Sequence, residues 1–448
     1  RQLASMLEKR REMDTLGTGT PIDRFSTSFS GISAKPTPLG RQAEILALEG
    51  LLQNGEAPLI VGGVGSGRTA LFRAWSERGG DGHQILRVTE ASLRLGLREG
   101  PSPILQLEDF FEDLAKAKDV LVVFEDLHKL LEDGADGLGD LLRRALVMGQ
   151  FRFAATTDNA GLARLETQEP DLLARFRPLA LPELSIEETV LVLEELRGHL
   201  ESFHDMKIPD EAMVAAADWG GSYLPSRKLP GAAVDLLDQA CAWDLLGGLA
   251  PREPFLDPDA VYEPEKELRV DDVAAAVART GHLRKEWVLA SEEERLEALL
   301  SEAENFSPET AKTIQEIVAH LQGPAISGCR GHLNLADFPH TDSLTIARLV
   351  AEHWAGSSVR LIEVNLVEHE GESGWADLVG RPRNQGPPRS GELATPIRRQ
   401  KYSVIFVSGI SEADKYIQGK LKDAFHTGQL NAPGGDASLQ EAIVFARS

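Results

Sequence analysis

Leu59-Ile60-Val61-Gly62-Gly63-Val64-Gly65-Ser66-Gly67-Arg68-Thr69 is the stretch on which the fold turns. An apolar run of strand character ends in a glycine-rich turn, and Ala70-Leu71-Phe72-Arg73-Ala74-Trp75 continues with helical character. The pattern G-x-x-x-x-G-K-S/T fits Gly62 to Thr69 with one change, Arg68 in place of lysine. Such a turn is a phosphate cradle. Glycines let backbone N–H groups converge on phosphate oxygens, and the helix that follows presents its positive end. Thr69 supplies a hydroxyl suited to Mg²⁺. Arginine keeps the charge of lysine but is bulkier and forked, so the exchange is not conservative. That one letter raises the question of whether such a cradle hydrolyses ATP or only holds it.

The surrounding chain has 448 residues, room for two or three domains. Hydrophobic residues make up 42% and charged residues 26%, the balance of a globular protein. A net charge of −23 argues against nucleic acid or an anionic membrane as partner. No apolar run reaches the ~20 residues that span a bilayer. Cys241 and Cys329 are the only cysteines, so neither a disulfide framework nor a zinc site is expected, and a cytoplasmic setting fits. The chain begins at Arg1 and stops just after the strand-like Ala442-Ile443-Val444-Phe445, which reads as a fragment.

Outward from the cradle, strands alternate with helices. The expected order is helix Ala43–Leu52, strand Pro58–Gly62, helix Thr69–Glu77 and strand Gln84–Thr89. Then come helix Leu107–Lys116, strand Val120–Phe124, helix Leu138–Val147 and strand Phe151–Thr156. That rhythm predicts a parallel sheet covered on both faces. After Pro182 it changes: Ile186–His199, Asp210–Trp219, Ala232–Trp243 and Val270–Ala278 read as a helical subdomain, interrupted by a loop Pro251–Lys266. Glu286–Gln322 is again helical and acidic. From Gly331 the α/β rhythm returns with His332–Leu335, helix Leu344–His353, strand Val359–Val364 and strand Tyr402–Val407, a second copy at a large period. A short helix is expected near Gln2–Met13.

Several motifs occur in a fixed order: Pro38-Leu39-Gly40-Arg41, the glycine-rich turn, Phe124-Glu125-Asp126-Leu127-His128, Ala155-Thr156-Thr157-Asp158, Leu173-Ala174-Arg175-Phe176, and Arg227 through Asp238 with Leu229-Pro230-Gly231 inside it. Together they resemble the first ATPase module of Clp-type AAA+ chaperones, from roughly Leu16 to the end. No coiled-coil insertion follows the helical subdomain, a layout nearer the protease-associated Clp members than the disaggregases. The resemblance implies an α/β class fold, a P-loop AAA+ parallel sheet with a helical lid, followed by a second, incomplete and degenerate AAA+ module. The expected divisions are a lead-in at 1–33, a large P-loop subdomain at 34–182, a lid at 183–285, a helical connector at 286–325 and a truncated second large subdomain at 326–448. It also implies ATP and Mg²⁺ as cofactors. Leu39 and Gly40 would flank the adenine. Gly63, Gly65, Ser66, Gly67, Arg68, Thr69 and Ala70 would hold the nucleotide with Pro230, and Thr69 and Glu125 would be the metal-side residues. Glu125 and Asp126 would orient Mg²⁺ and polarise the attacking water, Thr157 would sense the γ-phosphate, and Arg175 would act as an arginine finger on a neighbour. The implied partners are copies of itself in a hexameric ring, protein clients or a Clp-type peptidase.

The chain departs from this pattern. The acid pair reads Glu125-Asp126 where the family reads Asp-Glu, and Ala174 replaces one of two finger arginines. In the second copy, Ala336 to Ser343 stands where the glycine-rich turn belongs, with Pro339 lacking an N–H and Asp342 bringing negative charge. The second acid pair is replaced by Ser408-Gly409. Leu95–Pro101 and Arg381–Pro388 lack the aromatic residue of the family's pore loops. His128 reads as a packed structural histidine. The leading expectation is a Clp-like ATP-binding protein of the remodelling type, with weak or no hydrolysis at the first module and a pseudo-ATPase second module. Two alternatives stand beside it: an active ATP-dependent unfoldase or regulatory subunit of a Clp-type protease, and a non-enzymatic scaffold stabilised by nucleotide.

Overall fold

A computed structural model describes residues 20–28, 40–78, 80–97, 101–117, 119–132, 137–224, 227–245, 267–323, 328–335, 340–381, 389–400, 402–432 and 436–447. The helix expected near Gln2–Met13, the loop Pro251–Lys266, Leu39, residues 336–339 and the central parts of both pore loops lie outside them. The chain divides into two compact units, Arg1–Leu196 and Arg197–Ser448.

In the first unit the strands are β1 (Thr27–Ser28), β2 (Ala57–Val61), β3 (Gln84–Val88), β4 (Val120–Phe124), β5 (Arg152–Thr157) and β6 (Phe176–Ala180). The helices are α1 (Pro21–Phe25), α2 (Gln42–Gln53), α3 (Arg68–Glu77), α4 (Glu90–Gly96), α5 (Pro103–Lys116), α6 (Leu127–Leu130), α7 (Leu138–Met148), α8 (Asn159–Gln168), α9 (Pro170–Leu173) and the start of α10 (Ile186–His204). The sheet runs β1-β3-β4-β5-β2-β6 and is parallel except for β1. Alternate residues serve opposite faces, as the two-residue period of a strand requires. Leu59, Val122 and Phe124 enter one core with Phe25, Phe110 and Phe176. Ile60, Leu121 and Val123 enter the other with Phe72 and Trp75 of α3. Each such side chain fully withdrawn from water contributes roughly 1.5–3 kcal/mol. β6 was not foreseen from sequence; Arg177 and Pro178 give it the polar look of an edge strand, and an edge is where it lies.

The parallel order decides where chemistry can occur. The C-terminal ends of β2, β4 and β5 share one edge of the sheet, with Val61 opposite Thr157 and Phe124 opposite Ala155. Loops leaving that edge therefore converge, as in other open α/β sheets.

The second unit opens with helices α11 (Asp210–Tyr223), α12 (Gly231–Leu245) and α13 (Val270–Gly281), packed through Met213, Leu236, Ala240 and Val277. The acidic stretch expected as a helical connector is three helices: α14 (Lys285–Leu289), α15 (Glu292–Ala303) and α16 (Pro308–Gln322). Ser291 caps α15 and Ser307 caps α16, with Pro308 in the first turn, where a missing N–H costs nothing. Then follow β7 (Gly331–Asn334), α17 (His340–Trp354), β8 (Leu361–Asn365), α18 (Gly371–Val379), the antiparallel ladder β9 (Gly380–Arg381) with β10 (Arg389–Ser390), and α19 (Ala394–Arg399). The unit closes with β11 (Ser403–Ser408), α20 (Lys415–Thr427), the antiparallel pair β12 (Gln429–Leu430) with β13 (Ala437–Ser438), and β14 (Ala442–Ala446). The four long strands form a parallel sheet in the order β7-β14-β11-β8. Read from β2 outward, the first sheet runs β2-β5-β4-β3, so the second sheet repeats its winding strand for strand.

Candidate functional site

Gly62 leaves β2 with its N–H still donated to the Thr157 carbonyl, 3.1 Å, and the chain then turns. Gly65 and Gly67 take φ values of +93° and +97°, which L side chains rarely adopt. Gly67 caps α3, so the first N–H groups of a ten-residue helix face the turn. Gly62 is needed for room: a Cβ there would lie 2.6 Å from Ser66 Oγ and 2.8 Å from the Leu181 carbonyl. Ser66 is 1% exposed, and its Oγ has no hydrogen-bond partner among the described residues. A buried hydroxyl without a partner is costly unless something else fills that role. These two features, a glycine cradle and an orphaned buried hydroxyl, fit a phosphate group.

Arg41 braces the cradle from below. Its guanidinium is buried, donates to the Ser66 carbonyl at 3.1 Å and the Pro182 carbonyl, and pairs with Glu44 at 2.9 Å. The resemblance puts Leu39 and Gly40 beside a base; Gly40 turns the chain at φ +78° and Arg41 ties down the loop.

The acids follow β4. The Glu125 N–H donates to the Val88 carbonyl, which fixes the backbone against β3. Thr69 Oγ1 donates to Glu125 Oε1 at 2.7 Å, so the two residues expected on the metal side are together. Arg87 of β3 holds the other oxygen, Oε2, at 2.6 Å. Asp126 sits at φ +49° with its N–H on the Thr156 hydroxyl at 3.1 Å. Its carboxylate is divided between Arg68, 2.9 Å from Oδ1, and Lys129, 2.8 Å from Oδ2. The Arg68 approach is charge against charge, without the alignment of a hydrogen bond at Nη1. Burial pushes the Asp126 carboxyl up, but Lys129, Arg68 and His128 outweigh it and hold the group below its ordinary value. Arg68, Thr69, Glu125 and Asp126, expected together from the sequence, lie together, and Arg87 and Lys129, which were not expected there, join them. Lys129 is within three residues of Asp126 and was legible from helical spacing. Arg87 is 38 residues from Glu125 and needed the sheet order.

Thr157 ends β5 fully buried, and His128 Nδ1 lies 2.9 Å from its hydroxyl. Gly161 makes room for that pair: a Cβ there would come within 2.3 Å of both His128 Nδ1 and Thr157 Oγ1. Burial lowers the His128 pKa from its ordinary 6.5, only partly offset by Asp158 and Asp126.

Arg175 stands apart. It is exposed and immediately precedes β6, whose Phe176 pairs with Ala57 at the start of β2. The cradle begins after the end of β2. The five residues of β2, at ~3.3 Å each, set the two sheet edges roughly 17 Å apart. Arg175 lines a cavity of about 580 Å³ with Glu56, Arg152 and Arg177 at that opposite edge. Pro230 belongs to the second unit, in the cis Leu229–Pro230 peptide before α12.

A family model described as an AAA lid domain matches residues 185–247. The ATP-dependent Clp protease ATP-binding subunit ClpE of Lactococcus lactis subsp. lactis (strain IL1403) is 23% identical over 92% of this chain and 63% of its own length. The chloroplastic chaperone protein ClpC of Pisum sativum is 24% identical over 94% of this chain and 54% of its own. This chain therefore spans less than two thirds of either relative. Among solved structures, the S. cerevisiae Hsp104–ADP complex superposes with a TM-score of 0.77 at 20% identity, over 95% of this chain and 75% of that one. A closed-state cryoEM reconstruction of Hsp104 with ATPγS and FITC casein gives 0.70 at 19%, over 96% and 75%. At such identity the structures show a shared fold.

Proposed function

Starting from a chain that is a distant member of the Clp/Hsp100 family of AAA+ chaperones, related over most of its length, we propose that it binds ATP at the Gly62–Thr69 cradle and hydrolyses it weakly or not at all. The proposed setting is a protein-remodelling assembly. One observation carries this reading: both oxygens of Asp126 are held by cations, Oδ1 by Arg68 and Oδ2 by Lys129. Phosphoryl transfer depends on positioning and electrostatics, and the residue at this place must polarise water. A short carboxylate kept acidic by two cations does that poorly. The cradle itself retains its glycines, its helix end and the Thr69–Glu125 contact, the parts that would hold phosphate.

The second sheet is proposed to be a pseudo-ATPase. Its β11 occupies the place of β4 in the repeated winding and runs into Ser408 and Gly409, with no carboxylate where Glu125 and Asp126 stand. Arg175 supports assembly into a ring. Lying at the opposite sheet edge, it serves a cradle only if that cradle belongs to another copy.

A second reading, an active ATP-dependent unfoldase or protease regulatory subunit, is favoured by one observation. Arginine is longer than lysine and aspartate shorter than glutamate, so Arg68 and Asp126 together span the gap that the family's lysine and glutamate span.

Steady-state ATP turnover by the purified chain, beside Asp126→Asn and Glu125→Gln, decides between them. The expected result is turnover at background in all three, with one nucleotide bound per chain and that binding abolished by Arg68→Ala. Robust turnover that both acid variants abolish would establish the active reading instead.

A further inference from the structure

We propose that Arg87 replaces much of the work of a divalent cation at this cradle, so that the chain binds nucleotide almost independently of Mg²⁺. This rests on the proposal that the cradle binds ATP.

Arg87 lies on β3, opposite the buried Val123 of the parallel β4 and the exposed Thr27 of the antiparallel β1. Leu86 and Val88 enter one core, whereas Ile85 enters the core that packs on α3, and alternation puts Arg87 on that α3 side. The Arg87 side chain stays 39% exposed, and from that half-open position its guanidinium reaches one charged partner. Its partner is Glu125 Oε2 at 2.6 Å, and the ladder pairing Arg87 with Val123 fixes the backbone of both. Glu125 is also the acid that meets Thr69, the place where a Mg²⁺ ion accompanying ATP would find its protein ligands.

A divalent cation at a phosphate cradle neutralises phosphate charge and draws on carboxylates that are otherwise free. Here neither need is left open. Glu125 is mostly buried, and its charge is shared with a half-exposed guanidinium at contact distance, which lowers what it can offer a metal. Asp126 is shared between Arg68 and Lys129. Counting the groups in direct contact, three cations face two carboxylates, where a lysine and two acids alone would leave an excess of negative charge. The positive charge that Mg²⁺ would bring is already built into the protein as Arg87 and Lys129.

The test is calorimetric titration of the whole chain with ADP and with ATP, in Mg²⁺ and again in EDTA, for the wild type, Arg87→Gln and Arg87→Lys. For the wild type, removing Mg²⁺ is expected to weaken binding by less than about threefold. For Arg87→Gln, EDTA should weaken it by about tenfold or more, with Mg²⁺ restoring it. Arg87→Lys should follow the wild type. A purely structural role for Arg87 would weaken binding equally with and without the metal, and that result overturns the proposal. So does a wild type that binds only with Mg²⁺, although nucleotide binding at the cradle then stands. Absence of binding in every buffer removes both the proposal and the reading beneath it.

Discussion

Gly62 and Gly67 resist a side chain for different reasons, and the difference is measurable. At Gly67 a Cβ would meet nothing within 4 Å, so the obstacle is φ +97° alone. Alanine there should cost about 1–2 kcal/mol, the left-handed penalty. At Gly62 the φ is ordinary but the space is taken by Ser66 Oγ and the Leu181 carbonyl. Overpacking against backbone costs typically ~1–3 kcal/mol, and here it also displaces the cradle. Urea unfolding should rank Gly62→Ala as the more destabilised variant; the reverse order would mean the loop yields more readily than its contacts imply. His128 gives a pH signature. Its pKa in the folded protein lies below the ordinary 6.5, so the native state binds fewer protons than the unfolded chain below that pH. Stability is therefore full above about pH 6.5 and is lost as pH falls toward the folded-state value. Asp158 and Asp126 oppose the shift, while Lys129 and Arg164 add to it. Unfolding midpoints at about pH 7.5 and about pH 5.5 should differ more for the wild type than for His128→Gln. At this scale the sequence was a good guide to residues that are local in the chain. The glycines, Thr69 and both acids announce themselves by spacing. Arg87 does not, because its meaning depends on which strand lies beside β4.

At the scale of the element, β5 is the organiser of the site. Its last two residues use the strand's alternation to serve two neighbours. The Thr156 hydroxyl accepts the Asp126 N–H, and the Thr157 hydroxyl meets His128 Nδ1. Thr156→Val leaves that N–H without its partner at a residue already in the left-handed region, and Thr157→Val leaves a buried imidazole nitrogen unpaired. Each should cost about 1–3 kcal/mol. The two separate on binding. Thr156→Val should shift the Asp126 turn and loosen its hold on Arg68, while Thr157→Val should leave the Gly62–Thr69 cradle and its ADP affinity intact. Equal loss of ADP affinity in both would show that β5 acts as one rigid edge. Elements with strong periodicity were legible: β4 runs from Val120 to Phe124 as the sequence predicts, and α11 to α13 lie where helices were expected. The misses share a cause. β6 carries arginine and proline because it is an edge. Helices α18 and α20 are short or richly polar, and their apolar faces show only against the second sheet. Leu378 and Ile417 mark those faces, far apart in sequence but in one core.

At the scale of the whole molecule, helices α11 to α13 and the second sheet belong to a single compact unit, and its centre is aromatic. Trp287 of α14 lies 5.3 Å from Tyr223 of α11 and 5.9 Å from Tyr402 beside β11, ring to ring. Trp354 of α17 meets Tyr402 from another side at 5.8 Å. The Trp287 indole N–H donates to the His353 carbonyl at 2.6 Å, and the Arg295 guanidinium covers its face at 3.7 Å. Nearby, the buried Arg360 guanidinium donates to the Gly281 carbonyl at the end of α13, and burial brings its pKa down to about 10. A lid joined to a sheet in this way should not unfold by itself. Removing the ring in Trp287→Ala strips a buried aromatic and strands the His353 carbonyl, at a cost of about 3–5 kcal/mol. Native-state hydrogen exchange reads the consequence. If the junction is cooperative, amides of α12 and α13 lose protection together with those of β8 and β11, as one foldon. Amides of β4, in the other unit, should keep theirs. Lid helices that exchange faster while β8 and β11 stay protected would show that the aromatic cluster is a contact between two independent bodies, and that motion of the lid need not carry the second sheet with it.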